Sequence, residues 1–422
     1  MGMNSHFSLL WTLVFVTMVV LTLGVQMWLA GRQIRHVAQH RQQVPTAYAQ
    51  TIALDEHQKA ADYTVAKLRL GLLEIAVGSV VLVAWTLLGG LHMLNQALMS
   101  MLGTGLVQQL ALLASFAVIG MLIDLPFGWY RTFRLEKQFG FNRSTVGLWV
   151  SDGVKGLVLA ALLGLPLAAV VLWIMDIAGP AWWVWAWLVW VGFNLLILVL
   201  YPSFIAPLFN KFEPLQDEAL KTRVTALMDR CGFEAKGLFV MDGSRRSAHA
   251  NAYFTGFGPA KRVVFYDTLL KQLSADEMDA VLAHELGHFK HRHIIKRMVG
   301  IFLFSLAGLA LLGWLSQQAW FYLGLGVTPS LLGSNSGVAL ILFGLTLPLF
   351  TFFLSPLLSG LSRKHEFEAD AYAKSQTGGA PLASALLKLY KDNASTLTPD
   401  PWYVRFYYSH PPATDRLARL SA

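Results

Sequence analysis

The sequence predicts an all-α polytopic membrane protein with about seven transmembrane helices, and three observations support this fold class. Of the 422 residues, 55% are hydrophobic and only 14% are charged, whereas soluble globular chains usually carry about 25% charged residues. The 14 Trp and 26 Phe residues fit a surface that faces lipid and ends in interfacial aromatic side chains. Several apolar runs are also long enough to cross a bilayer, which takes about 20 residues.

Seven apolar runs are candidates for spanning helices. Glu74 lies inside the second run and Asp152 lies beside the fourth, and such residues tend to face a bundle interior or a watery cavity rather than lipid. The first run is longer than the apolar part of a signal peptide, and its N-terminal flank has no Lys or Arg, so we expect a retained anchor. The runs are residues 7–30, 70–93, 104–128, 155–177, 181–207, 298–319 and 337–360.

The distribution of Lys and Arg predicts how the chain is oriented. The segments after spans one, three and five and the tail after span seven are basic, whereas the segments after spans two, four and six have no Lys or Arg. The positive-inside rule then places the N-terminus outside, and the long fifth loop and the tail in the cytoplasm. The net charge of +8 therefore reflects sorting across a lipid bilayer, and no nucleic-acid partner is expected.

We expect four consecutive parts. Residues 1–207 hold transmembrane helices one to five, 208–297 form a cytoplasmic catalytic loop, 298–361 hold helices six and seven, and 362–422 form a C-terminal segment. The loop and the C-terminal segment are expected on the same side of the membrane, so together they form one polar module. The chain has a single cysteine, Cys231, which excludes an internal disulfide.

One helix of the fifth loop is expected to carry the chemistry. In "LSADEMDAVLAHELGHFKHRH", residues 273–293, Ser274 and Glu277 have the spacing of a capping box. Apolar residues recur along one face of the helix. His284 and His288 lie one turn apart on the opposite face. One side of this helix therefore packs, while the other presents two imidazoles that point the same way.

The pattern HExxH predicts a metal site. Its two histidines supply ligands at i and i+4, and Glu285 lies beside them as a general base. Zinc is the usual ion for imidazole plus carboxylate, so we predict one Zn²⁺ with one open position. His291 and His293 do not follow the metzincin spacing, and we interpret them as part of a basic helix end that leads into span six.

A third ligand is expected after span seven, since catalytic zinc sites usually have three protein ligands. In "LSRKHEFEADAYAKS", Glu366 and Asp370 are four residues apart on one face of a predicted helix. Glu366 is the candidate ligand, and Asp370 is the candidate acceptor for the second N–H of a ligand histidine. The alternative is a solvated acidic face that only balances neighbouring Arg and Lys residues.

Five motifs together resemble the CAAX prenyl protease 1 family of integral-membrane zinc endopeptidases. They are "FRLEKQFGFNRST", "MDGSRRSAHANAYFTGFG", "VLAHELGHFKHRH", "LSRKHEFEADAYA" and "FYYSHPP", and they occur in the family's order from about residue 60 onward. The resemblance implies His284, His288 and Glu366 as zinc ligands and Glu285 as general base. It also implies a seven-helix barrel around a water-filled chamber, with the zinc site on the cytoplasmic side. The match departs at His365, where the family often has an aromatic, and at Glu368, where it has a small residue or an amide.

Three further residues are candidates for substrate contact or catalysis. Two strands around a "GFGP" turn are predicted just before the metal helix, and an edge strand there could hold an extended peptide. Asn251 in "NAYF" resembles the polar clamp of zinc endopeptidases. His410 resembles the family histidine that stabilises an oxyanion, with a structural histidine as the alternative. Arg405 is a candidate for substrate contact or a salt bridge.

Two other functions are compatible with parts of the sequence. An intramembrane-cleaving protease would carry HExxH inside a spanning helix, with a later Asp-Gly partner, whereas here the motif lies in a charged segment. A non-enzymatic seven-span zinc-binding transporter or sensor would have four protein ligands and no open position.

For the enzyme we expect a peptide or protein substrate, either prenylated or a misfolded membrane protein. Compact loops indicate a bacterial inner membrane.

Overall fold

The computed structural model of the chain describes residues 2–233, 237–249, 252–255 and 262–421. Within them, seven helical runs are long and apolar enough to cross a membrane, in the number and order that the sequence predicts. The all-α polytopic fold class is therefore confirmed. The runs are Ser5–Gln39, Leu54–Trp85, Leu106–Glu136, Val146–Ile177, Gly179–Phe209, His293–Leu315 and Ser336–Thr377.

The first half of the chain is almost entirely helical. The second predicted span runs past the observed helix, because the chain leaves helical geometry after Trp85 and turns at Gly89, whose φ of +76° favours glycine. A separate short helix then follows, which sequence periodicity did not distinguish from the span. The helices are α1 Gly2–Gln39, α2 Leu54–Trp85, α3 Gly90–Leu102, α4 Leu106–Tyr130, α5 Val146–Ile177, α6 Trp182–Leu200 and α7 Ala206–Phe209.

A small mixed sheet and three helices follow the fifth span. Within the described residues, the sheet has four strands in the order β1-β2-β4-β3, with β2 parallel to β4 and the other pairs antiparallel. The predicted pair of strands before the metal helix is present as β3 and β4, and β3 lies at the edge. The elements are β1 Phe212–Pro214, α8 Glu218–Arg230, β2 Leu238–Met241, β3 Ala252–Thr255, β4 Arg262–Tyr266, α9 Asp267–Gln272 and α10 Ala275–Lys290.

The seventh span continues into the C-terminal segment without a loop. Only a short turn at Phe352–Leu354 separates its two helices, so the helical run Ser336–Thr377 is 42 residues long. Smaller helices then pack around its end. The helices of this half are α11 His293–Leu315, α12 Ala319–Leu323, α13 Ser336–Thr351, α14 Ser355–Thr377, α15 Gly379–Asp392, α16 Pro401–Tyr407 and α17 Ala413–Ser421.

The polar module has its own hydrophobic core, which holds α10 in place. The predicted apolar face of α10 is buried, with Met278, Leu282 and Leu286 each no more than 1% exposed. These side chains belong to one buried cluster with residues of β4 and α15. The core therefore fixes the side of α10 that faces away from the histidines.

The loop "FRLEKQFGFNRS" packs against the polar module. The Phe141 ring stacks on the His249 ring with centroids 4.5 Å apart, and it also contacts Tyr63 of α2. The backbone N–H of Arg143 donates to the carbonyl of Arg246 over 3.1 Å. This loop thus contacts both α2 and the segment that precedes the edge strand β3.

Candidate metal centre

Helix α10 begins at a capping box that fixes its first turn. The Ser274 side chain accepts from the backbone N–H of Glu277, and the Glu277 carboxylate accepts from the backbone N–H of Ser274 over 2.7 Å. Glu277 also accepts from Lys388 and Ser384 of α15, over 2.7 and 2.6 Å. The helix that carries HExxH is therefore tied to α15 at its N-terminus.

His284, His288 and Glu366 converge on one point between α10 and α14. The two Nε2 atoms are 3.3 Å apart, and each lies 3.5 Å from a carboxylate oxygen of Glu366. In a tetrahedral zinc site with bonds of about 2.0–2.1 Å, neighbouring ligand atoms lie about 3.3 Å apart. The three side chains thus have the spacing of metal ligands.

The surroundings of Glu366 also fit a metal ion. Its side chain is 7% exposed, and its Oε2 atom has no hydrogen-bond donor among the described residues. A buried carboxylate oxygen without a partner is costly, and a cation between it and the imidazoles would satisfy it. The residues present therefore fit a divalent metal such as zinc.

The other ring nitrogen of His284 faces a buried ion pair. Its Nδ1 lies 2.9 Å from an oxygen of Asp370, the candidate acceptor in the sequence. Asp370 also accepts two hydrogen bonds from Arg416 of α17, over 2.6 and 2.8 Å. Burial alone would lower the pKa of His284, but its contacts with Asp370 and Glu366 raise it to about 9, so a metal would bind there in competition with a proton.

Sequence reasoning did not identify Arg416. Its guanidinium is buried, with 6% of the side chain exposed, and it lies 4.0 Å from Glu366 as well. The signal was present in α17, where Arg416 falls on the same helical face as Ala413 and Leu420, which are also buried. An arginine on an apolar helix face indicates a buried partner for its charge.

Glu285, the predicted general base, directly follows His284 in the HExxH helix. Burial raises the pKa of its carboxyl group above the ordinary value, and the charge of Glu366 raises it further, whereas His284 opposes this. A carboxylate with a raised pKa is better matched to proton transfer near neutral pH than an ordinary one.

A second group of polar residues lies on the far side of His288. The Nδ1 atoms of His288 and His293 are 3.0 Å apart, and the Nε2 of His293 lies 2.8 Å from Glu368. The His365 ring stacks on the His293 ring with centroids 4.0 Å apart. The prediction of a basic helix end does not describe His293, which is buried because the chain turns at Arg292 before α11 begins.

The remaining predicted site residues differ in their placement. The Nε2 of His410 lies 3.4 Å from Glu366, and 64% of the His410 side chain is exposed, so the structure brings it beside this predicted ligand. Arg405 is exposed, and its guanidinium lies over the Trp402 ring at 4.7 Å. Asn251 lies outside the described residues. The roles predicted for these three stay predictions.

Two family models match consecutive parts of the chain. A model described as "CAAX prenyl protease N-terminal, five membrane helices" matches residues 33–211, and one described as "Peptidase family M48" matches residues 214–422. The boundary between them lies where the fifth span ends and the sheet begins.

Relatives and a solved structure match as well. The CAAX prenyl protease 1 homolog of Oryza sativa subsp. japonica is 39% identical over 75% of this chain and 73% of its own length. The homolog of Homo sapiens is 30% identical over 100% of this chain and 99% of its own length. The crystal structure of S. mikatae Ste24p superposes with a TM-score of 0.89 at 31% identity, over 97% of this chain and 98% of that one.

These matches confirm the resemblance seen in the five sequence motifs and favour the peptidase over the transporter and the intramembrane-cleaving protease. The residues of the HExxH helix and of α14 that converge on one point lie within the part of the chain that matches a peptidase family. The chain therefore belongs to the CAAX prenyl protease 1 family of multi-pass membrane metallopeptidases, within peptidase family M48.

Proposed function

We propose that this chain is a membrane-embedded zinc endopeptidase whose single zinc ion is held by His284, His288 and Glu366. The observation that carries the proposal is the convergence of their ligand atoms to 3.3–3.5 Å across two helices that are far apart in sequence. Two imidazoles and one carboxylate favour zinc and leave a position open. Zinc in such a site is a Lewis acid that lowers the pKa of water to about 7 and polarises a carbonyl group.

Two residues would act on the scissile peptide. Glu285 takes a proton from the attacking water and passes it to the leaving amine, which its raised pKa supports. His410 donates from Nε2 to the oxyanion of the tetrahedral intermediate. Its partly exposed ring, 3.4 Å from Glu366, supports a position at the open side of the site.

The sheet edge offers a place for the substrate backbone. Strand β3 lies at the edge of the sheet and directly follows Asn251 in the sequence. An extended peptide that adds to this edge would be held by main-chain hydrogen bonds, with Asn251 as a polar clamp on the peptide. We further assign Arg405 to substrate contact, which its exposure on α16 supports.

A cavity next to the metal ligands supports access from within the membrane bundle. Its volume is about 840 Å³, and its lining includes His410 and Arg416 together with Gly71 and Ile75 of α2 and Tyr403 of α16. A space that joins a membrane helix to catalytic residues is what a substrate chamber requires. We propose that the peptide reaches the metal through this cavity.

The orientation and location follow the sequence argument. We propose that the N-terminus lies outside, that the polar module lies in the cytoplasm, and that the membrane is a bacterial inner membrane. The alternation of basic and uncharged connecting segments supports the orientation. The compact loops support the bacterial location.

The relatives carry the name CAAX prenyl protease 1, so their name points to prenylated substrates. We propose that this chain cleaves peptide bonds in membrane-associated proteins, either prenylated proteins or, in a bacterial membrane, misfolded membrane proteins. Both classes present an apolar region that partitions into the bilayer and a peptide that can extend toward the sheet edge.

The test is Glu285→Gln in the full-length chain. We expect the variant to keep one zinc per chain and its thermal unfolding midpoint, while its rate of peptide cleavage falls at least about 100-fold, because it lacks a base. Glu218→Gln, on an exposed residue of α8, is the matched control and should cleave as the parent does. Cleavage by Glu285→Gln at the parental rate would contradict the proposal.

A further inference from the structure

The residues beyond His288 form a hydrogen-bonded chain that points away from the metal ligands. His288 Nδ1 meets His293 Nδ1 at 3.0 Å, and His293 Nε2 meets Glu368 at 2.8 Å. We propose that His293 and Glu368 are positioning residues that fix the ring of His288 for metal binding through Nε2. This inference rests on the zinc centre proposed above.

The positions of the protons follow from the metal. A neutral His288 that binds through Nε2 carries its proton on Nδ1, so it donates to Nδ1 of His293. His293 then has its own proton on Nε2, which it donates to Glu368. Both hydrogen bonds are therefore donated in the same sense, from His288 to His293 and from His293 to the carboxylate of Glu368.

The two ligand histidines would then be supported in different ways. His284 contacts Asp370 directly at 2.9 Å, whereas a second imidazole lies between His288 and its carboxylate. His293 is well placed for this role because only 5% of its side chain is exposed, and Glu368 is 32% exposed. Removing such outer partners usually weakens metal binding about 10- to 100-fold.

A second metal ion held by His293, His365 and Glu368 is the competing explanation, since their ligand atoms lie within 4.8 Å of one another. Two observations disfavour it. The His293–Glu368 separation of 2.8 Å is a hydrogen-bond distance and shorter than the roughly 3.3 Å between ligands of tetrahedral zinc. The rings of His293 and His365 are stacked 15° from parallel, so their in-plane lone pairs do not converge on one point.

The experiment measures zinc affinity and zinc content of the full-length chain in detergent, by competition with a chelator and by elemental analysis. We expect Glu368→Leu and His293→Phe to bind zinc about 10- to 100-fold more weakly than the parent. Glu368→Gln keeps an acceptor oxygen and should lose less than about 10-fold. The metal-free midpoint of unfolding is measured for each variant, and loss of affinity without a lower midpoint separates positioning from general destabilisation.

His365→Phe is the matched control, because it keeps an aromatic ring against His293 and removes the nitrogens. We expect it to bind one zinc with parental affinity. Parental affinity in both Glu368→Leu and His293→Phe would overturn the inference, and so would two zinc ions in the parent with one lost in His365→Phe. A parent chain that binds no zinc would instead overturn the metal centre itself, and this inference with it.

Discussion

Arg416 and Asp370 form a bidentate ion pair that is almost fully buried beside His284 and Glu366, with 6% and 3% of their side chains exposed. Burying two charges is costly, and close contact between them offsets that cost only while both are present. Asp370 also holds His284. The ion pair therefore links α17 to the proposed ligand His284 on α10.

We expect Arg416→Ala to lower the free energy of unfolding by about 3–5 kcal/mol, because it leaves the Asp370 charge buried without its partner. The released carboxylate should also hold His284 less firmly, so zinc affinity should fall. Unfolding in detergent and chelator competition measure the two effects. Arg419→Ala removes an exposed arginine from the same helix, whose guanidinium lies over the Phe367 ring at 3.6 Å. Loss of this exposed cation–π contact should cost no more than about 1 kcal/mol, and an equal loss in both variants would speak against this account.

At the scale of residues, the sequence identified the side chains that spacing on one helix can indicate. His284 and His288, and likewise Glu366 and Asp370, are i and i+4 pairs, and the structure brings all four together. His293 was missed because a continuous helix would place it about 140° away from His288. The left-handed backbone of Arg292, with φ of +56°, returns it to that side, and no Gly or Pro marks the turn.

At the scale of elements, the close approach of α10 and α14 depends on Gly287. A Cβ atom at this position would lie 2.9 Å from the Cα atom of Ala369 and 3.1 Å from its carbonyl oxygen. Both are backbone atoms and neither can rotate away. The glycine within HExxH therefore sets how near Glu366 comes to the two histidines.

We expect Gly287→Ala to separate the two helices, lower the free energy of unfolding by about 1–3 kcal/mol and weaken zinc binding. The control is Gly300→Ala in α11, where a Cβ atom meets nothing within 4 Å. That substitution should be neutral or stabilising by up to about 1 kcal/mol, since alanine favours helix. Thermal unfolding and zinc titration of both variants test the difference, and unaltered zinc binding by Gly287→Ala would argue against it.

The contact between α10 and α15 makes stability depend on pH through Glu277. Burial alone would raise the pKa of Glu277, but hydrogen bonds from Lys388, Ser384 and Ser274 lower it to about 2. Since the pKa is about 4.3 in an unfolded chain, the carboxylate stabilises the fold above that pH. The contribution is lost as the pH falls from about 5 toward 2.

We therefore expect Glu277→Gln to cost about 1–3 kcal/mol at neutral pH, and the difference from the parent to shrink as the solution is acidified. Unfolding by denaturant at a series of pH values measures it. Glu213→Gln, on an exposed carboxylate, should follow the parent throughout. A difference that stays constant down to about pH 3 would rule out the assigned role of the carboxylate.

Much of the fold was predictable because long apolar runs and the period of α10 are strong local signals. The sheet was predicted only in part. Strand β1 is three residues long and contains Pro214, and β2 pairs with β4 across a gap in sequence. Pairing of short strands depends on the packing of the whole module, which local patterns do not report.

At the scale of the whole molecule, the orientation is testable because the chain has one native cysteine, Cys231. In a Cys231→Ser background we expect Ser334→Cys, between the last two spans, to react with a membrane-impermeant thiol reagent added outside. Glu213→Cys, at the start of the polar module, should react only after the membrane is opened. The reverse pattern would invert the proposed topology.

The continuous run Ser336–Thr377 has a consequence for the synthesis and membrane insertion of the protein. A ribosome makes His284 and His288 first, and two more bilayer crossings must be inserted before Glu366 can join them. A nascent chain at this stage thus contains the two imidazoles without the carboxylate. In the proposed site, the incomplete chain would therefore lack its third metal ligand until the last spanning helix is in place.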